Sequence, residues 1–151
     1  MRTGPLQRIA DAYVPFRLYR VRYALNKERV QRIFAMDAVD GSLDLFEFRT
    51  APADAELVEV QTRNELPSSL TEERALQILR DKALRIVFQQ GFFKMREASL
   101  EIEALPGEFY LPYWLGFYGA SDALRCRVMD AVRRRPEGAK ASALFEQWLA
   151  A

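Results

Sequence analysis

The chain states one pattern twice. Tyr13, Pro15, Phe16 and Leu18 open a segment that ends in Met36-Asp37-Ala38-Val39, and Tyr110, Pro112, Tyr113 and Leu115 open another that ends in Met129-Asp130-Ala131-Val132. An aromatic-proline opening, a stretch of hairpin length and an identical tetrapeptide recur in the same order, which marks a repeated supersecondary unit. Two such units, about 13–64 and 71–151, are expected to share one core in a single domain of 151 residues. Half of the residues are apolar, enough to bury that core without covalent staples.

Each unit reads as a hairpin. Residues 14–24 alternate, with Tyr19, Val21 and Tyr23 on one face and Phe16, Leu18 and Arg20 on the other. Asn26-Lys27-Glu28 is a polar tip and 29–38 the returning strand. Asp40-Gly41 supplies a tight turn, Leu43 to Phe48 a third strand, and Val58, Val60 and Thr62 a fourth at the edge. Leu6 to Ala12 leaves room for two helical turns at most. The longest regular pattern follows: Thr71 as N-cap, Glu72 and Glu73 in the first turn, then Leu76, Leu79, Ala83, Ile86 and Val87 at helical spacing up to a stop at Gly91. Phe92 to Leu105 is expected to be a strand, Pro106-Gly107 a turn, Phe109 to Tyr118 and Leu124 to Ala131 the second hairpin around Gly119-Ala120-Ser121-Asp122. A closing helix over 138–150 carries Ala141, Leu144, Phe145, Trp148 and Leu149 as its stripe. The fold class is thus α+β: two related β-hairpin units forming an antiparallel sheet packed against one long helix and a C-terminal helix.

Composition excludes much chemistry. Without histidine there is no Ser-His-Asp or Cys-His pair and no imidazole ligand. A single Cys126 makes neither a disulfide nor a zinc site of the usual kind, and its apolar neighbours read as a buried thiol. No Gly-rich loop opens a helix. Asp37 and Asp130 are the one carboxylate pair a twofold repeat could bring together; an Asp closing a strand more often caps its own downstream amides. The expectation is a protein that is not an enzyme and uses no cofactor or metal. No apolar run approaches the twenty or so residues of a membrane span, and residues 1–13 lack the apolar core of a signal peptide, which together imply a cytoplasmic protein.

A helix and a hairpin ending in Met-Asp-Ala, with Gly41 after the first copy, resemble the PepSY family. The resemblance is carried by Thr71 to Gly91 as helix with Tyr110 to Val132 as hairpin, and by Met36-Asp37-Ala38-Val39-Asp40-Gly41 in an incomplete first unit. It implies a helix packed across an antiparallel sheet, and a regulatory or inhibitory module, notably towards peptidases, with no catalytic residues.

Two surfaces are candidates for binding. The aromatic run gives Tyr110, Tyr113, Trp114 and Tyr118, which cannot all share one buried side of a strand; Pro112 within it implies an edge position or a bulge, and an edge there would suit pairing with a protein, a peptide or a second copy of the chain. Arginines cluster on both hairpins, with Arg20 and Arg22 on the first and Arg125 and Arg127 on the second. They offer an alternative, single-stranded nucleic-acid binding, which a net charge of +1 places behind protein contact. The reading is a non-enzymatic protein-binding or regulatory module, with a homodimer among its partners.

Overall fold

The computed structural model describes residues 4–25, 27–89, 100–119 and 125–151. Two helices lie on a six-stranded antiparallel sheet. The strands are β1 (Leu6–Leu25), β2 (Glu28–Asp37), β3 (Phe46–Phe48), β4 (Glu101–Tyr118), β5 (Arg125–Asp130) and β6 (Arg135–Pro136); the helices are α1 (Glu72–Gln89) and α2 (Ala139–Ala150). The expected stop at Gly91, most of the Phe92–Leu105 strand and the turn residues Ala120 to Asp122 lie outside the described residues.

The sheet order β3-β2-β1-β4-β5-β6 is a palindrome of the repeat. Aligning Tyr13 with Tyr110 makes Val14 equivalent to Leu111 and Pro15 to Pro112. In the sheet Tyr13 faces Pro112, Pro15 faces Tyr110, and Val14 faces its own equivalent, Leu111. A pseudo-twofold axis therefore crosses the sheet between Val14 and Leu111. The outer strands obey it too: Asp37 ends β2 opposite Phe16, and Asp130 ends β5 opposite the equivalent Tyr113.

This register corrects two expectations about proline and glycine. Pro112 lies on a central strand, not an edge. The amide and carbonyl of Tyr13 bond Asn64 and Leu66 (2.7 and 2.9 Å), so they point away from β4. Pro112 opposite likewise turns its nitrogen away from β1, toward the side where β5 has already ended. No ladder bond is lost, and its carbonyl still accepts the Ala131 amide, as Pro15 accepts that of Ala38. Pro106-Gly107 is no turn: β4 runs straight through it, and the register shift opposite Arg17 and Tyr19 marks a bulge, with Gly107 at φ +99°.

Three other segments also differ from expectation. Leu6 to Ala12 is strand, because it pairs with the end of β4. Only Phe46 to Phe48 of the third strand pairs. Residues 57–62 form no strand: the edge beside β3 is too short to template one, and Val58 stays in water. The segment rejoins the sheet through a parallel bridge from Glu65 to Tyr13.

The helices take opposite faces. Thr71 Oγ1 accepts the Arg74 amide (3.2 Å) and starts α1. Its buried stripe Ala75, Leu79, Ala83 and Val87 covers Tyr19, Val21, Tyr23, Phe34 and Met36. The long helix thus belongs to the first hairpin, not to the second as its position before Tyr110 implied. Lys82 Nζ donates to the Leu43 carbonyl (2.7 Å), fastening α1 to the turn after β2, and burial pushes the Lys82 pKa down. On the other face α2 drives Ala141, Leu144 and Phe145 against Leu115, Tyr113, Cys126 and Val128. Each such Leu or Phe contributes about 2–3 kcal/mol by leaving water.

The two Met-Asp-Ala-Val turns are cast from one mould with different fillings. Gly41 has φ +74°, and the equivalent Arg134 has φ +56°. A side chain in that region costs about 1–2 kcal/mol. Arg134→Gly is therefore expected to raise stability by about 0.5–1 kcal/mol, after the added freedom of the unfolded chain is subtracted. Gly41→Ala should lower it, because its new Cβ would lie 3.0 Å from Ile78 Cδ1. Urea unfolding of both variants checks the pair.

Candidate functional site

Both carboxylates singled out for chemistry are structural. Asp37, fully buried, accepts the amides of Val39, Asp40 and Gly41 at Oδ1 (2.9–3.1 Å) and of Leu43 at Oδ2 (2.9 Å). Asp130 repeats the arrangement with Val132 and Arg133 at Oδ1 (2.9 and 3.0 Å). Pro136 stands where Leu43 stands in the first copy and has no amide to offer. Arg133 Nε fills the gap at Asp130 Oδ2. The same guanidinium donates to the Leu45 carbonyl (3.2 Å) and lies 3.9 Å from the Phe46 ring centre, tying the second turn to the first unit. Neither Asp lines the surface depressions described below.

Glu137 sits beside this cluster, 3.9 Å from Arg133 Nη2. Burial, then the charge of Asp44, raises its pKa above the ordinary 4.5. A carboxyl whose folded pKa is raised gives stability below its unfolded pKa and loses it as pH climbs through the folded value. Glu137→Gln should therefore raise the melting midpoint at pH 7 and leave it unchanged at pH 4 or below, as melting across that range would show.

The sequence-derived candidates separate. Tyr113 is not at the surface: its ring is buried between Phe16 (6.4 Å) and Phe145 (5.6 Å). Burial pushes its hydroxyl pKa well up, and among the described residues that hydroxyl finds no hydrogen-bond partner. Arg20 and Arg22 lie at the far end of the sheet, where Arg20 bonds Glu103 (2.9 Å) and Arg22 bonds Gln31 (3.1 Å). Arg17 and Arg32 are likewise engaged, by Glu108 and Glu47. Tyr19 and Tyr23, which would stack bases in a nucleic-acid face, are covered by α1. Tyr110 is half exposed in a depression of about 610 Å³ beside Tyr13, Leu57, Val58 and Val60.

Trp114, Tyr118 and Arg127 do come together, with Arg125 at their rim. They face outward on β4 and β5, on the side of the sheet that α1 covers elsewhere. Trp114 pairs with Met129, Gly116 with Arg127, and Tyr118 with Arg125. Leu6 and Ile9 of β1 complete an open groove of about 460 Å³. Trp114 keeps 41% of its surface in water and Ile9 65%, and Leu6 and Met129 are also exposed. Arg127 lies over the Tyr118 ring at 5.8 Å. Gly116 forms the floor, and any Cβ there would strike the Tyr118 ring at 2.9 Å. Leu6 and Ile9 carried no sequence signal; only the pairing of β1 with the end of β4 brings them in, while the β4–β5 hairpin sets Met129 opposite Trp114.

Among the described residues no group of acidic or cysteine side chains could hold a metal ion, and no helix is long and apolar enough to cross a membrane. Comparison with family models, curated proteins and solved structures gives no match to this chain.

Proposed function

We propose that this protein is a non-enzymatic binding or regulatory module that acts through contact with another protein, and that the groove around Trp114 is its contact surface. The observation that carries this reading is a contiguous set of large apolar side chains left in water on a built sheet face. Scattered exposed hydrophobes are ordinary; a contiguous set framed by arginine is the pattern of an interaction site. Trp and Arg are also the residues that dominate binding energy when an interface closes over them. The resemblance to PepSY modules supports the same role, now with the hairpin, turn and packed helix combined in the first unit. The arginines that would serve nucleic acid at the other end of the sheet are held by glutamates, which favours protein contact over the alternative.

Immobilised protein challenged with lysate from its source organism, with and without nuclease, tests the reading against a Trp114→Ala control. A protein retained after nuclease and depleted at least tenfold on Trp114→Ala is the expected result. More than half of the Trp114 side chain is covered, so the variant should lose about 2–3 kcal/mol of stability, and thermal melting checks that it stays folded. Capture that vanishes with nuclease would give the surface to nucleic acid instead.

A further inference from the structure

The pseudo-twofold axis says what kind of object fits the groove. Aligning the units places Trp114, Gly116 and Tyr118 where β1 has Arg17, Tyr19 and Val21, and Arg127 and Met129 where β2 has Phe34 and Met36. Tyr19, Val21, Phe34 and Met36 are the seat of α1. The groove is therefore the second copy of a helix seat, and among the described residues no helix lies in it.

The differences between the two seats describe the missing occupant. Tyr19 fills the space under α1, whereas at the equivalent Gly116 that space is taken by the Tyr118 ring with Leu6 beside it. Phe34 is replaced by Arg127, which makes no ion pair among the described residues and rests on Tyr118. Asp11 pairs opposite Trp114 on the other side of the groove. The cation of the groove, Arg127, stands on its β5 flank. The size also decides between occupants. A standard interface buries about 800 Å² on each partner, some 20–30 residues a side. The groove presents five large apolar side chains, the footprint of one helix stripe and too few for a stable dimer of this chain.

We infer that the groove seats an amphipathic helix of a partner protein, lying as α1 lies on the first unit, with acidic residues on the flank that faces Arg127. This deepens the protein-contact reading and rests on it. Helix-in-groove recognition of this type takes its affinity from apolar anchors at i, i+3/i+4 and i+7, and takes orientation and partner choice from the charged flank.

The test uses a displayed library of random 18-residue peptides, selected on the full chain and counter-selected on Met129→Glu, whose folding is checked by thermal melting. Enriched peptides should share helical apolar spacing and carry Asp or Glu on one flank. Arg127→Glu should weaken them at least fivefold, and should restore binding to peptides with Lys on that flank. Enrichment of extended or basic peptides would overturn the helix inference and leave the protein-contact reading standing. So would a concentration-dependent dimer, seen by sedimentation and broken by Met129→Glu. No peptide enriched over Met129→Glu, in a chain that stays monomeric, would overturn both.

Discussion

Asp37→Ala should lower the stability of this protein by about 4 kcal/mol, a fall of about 10 °C in melting midpoint for a chain of this size. The carboxylate is fully buried and accepts four backbone amides. Val39 and Asp40 can recover a bond from water. Gly41 and Leu43 are buried, and each buried donor left without a partner costs about 1–3 kcal/mol. The conservative replacement separates the contributions. Asp37→Asn keeps one oxygen for the three Oδ1 bonds and presents an amide group to the Leu43 N–H, so it should lose about 1–2 kcal/mol. Chemical unfolding of the three proteins gives the ladder directly. A drop below 1 kcal/mol for Asp37→Ala would mean that the turn is held by its backbone alone, and that the repeated Met-Asp-Ala-Val has some other purpose.

Phe145→Ala should cost about 3–5 kcal/mol, the usual range for emptying a large buried aromatic site. Phe145 is fully buried, and its ring meets that of Tyr113, which stacks in turn with Phe16. The cavity would open between the helix and both central strands, where a stiff sheet cannot collapse to fill it. Ending the chain at Gly138 is the stronger form of the experiment. It strips Ala141, Leu144 and Phe145 from the core and bares Tyr113, Leu115 and Val128. The truncated protein should show no cooperative melt and should bind a hydrophobic dye. A truncated chain that melts within a few degrees of the full one would show that α2 is an appendage.

The repeat, the hairpins and both helices were legible because each is written locally. Thr71 caps a 3.6-residue stripe, and Tyr19, Val21 and Tyr23 alternate as a strand must. What the sequence did not disclose depends on distant pairing. Nothing near Pro112 announces that β5 stops one residue short of it, which is what admits a proline to a central strand. Pro106-Gly107 has the composition of a turn, and only the pairing of β1 on both sides of it converts it to a bulge. Trp114 was legible as a surface candidate and Tyr113 was not legible as core. Neighbours on a strand face opposite ways, and the choice between them is made by α2, thirty residues later. The groove's other wall, Leu6 and Ile9, was hidden for the same reason: it belongs to the opposite end of the chain.

The pairing of Val14 with Leu111 has a consequence for how the chain is made. β1 is central in the finished sheet, yet β4 is synthesised long after it. At roughly 5–20 residues per second, the ribosome leaves that side of β1 open for several seconds. The first hairpin can close on itself in microseconds and then wait with an unpaired edge. A β4 from a neighbouring polypeptide offers the same register as the chain's own. Refolding at high concentration should therefore yield exchanged dimers, each sheet built from the front half of one molecule and the back half of another, while dilute refolding returns the monomer.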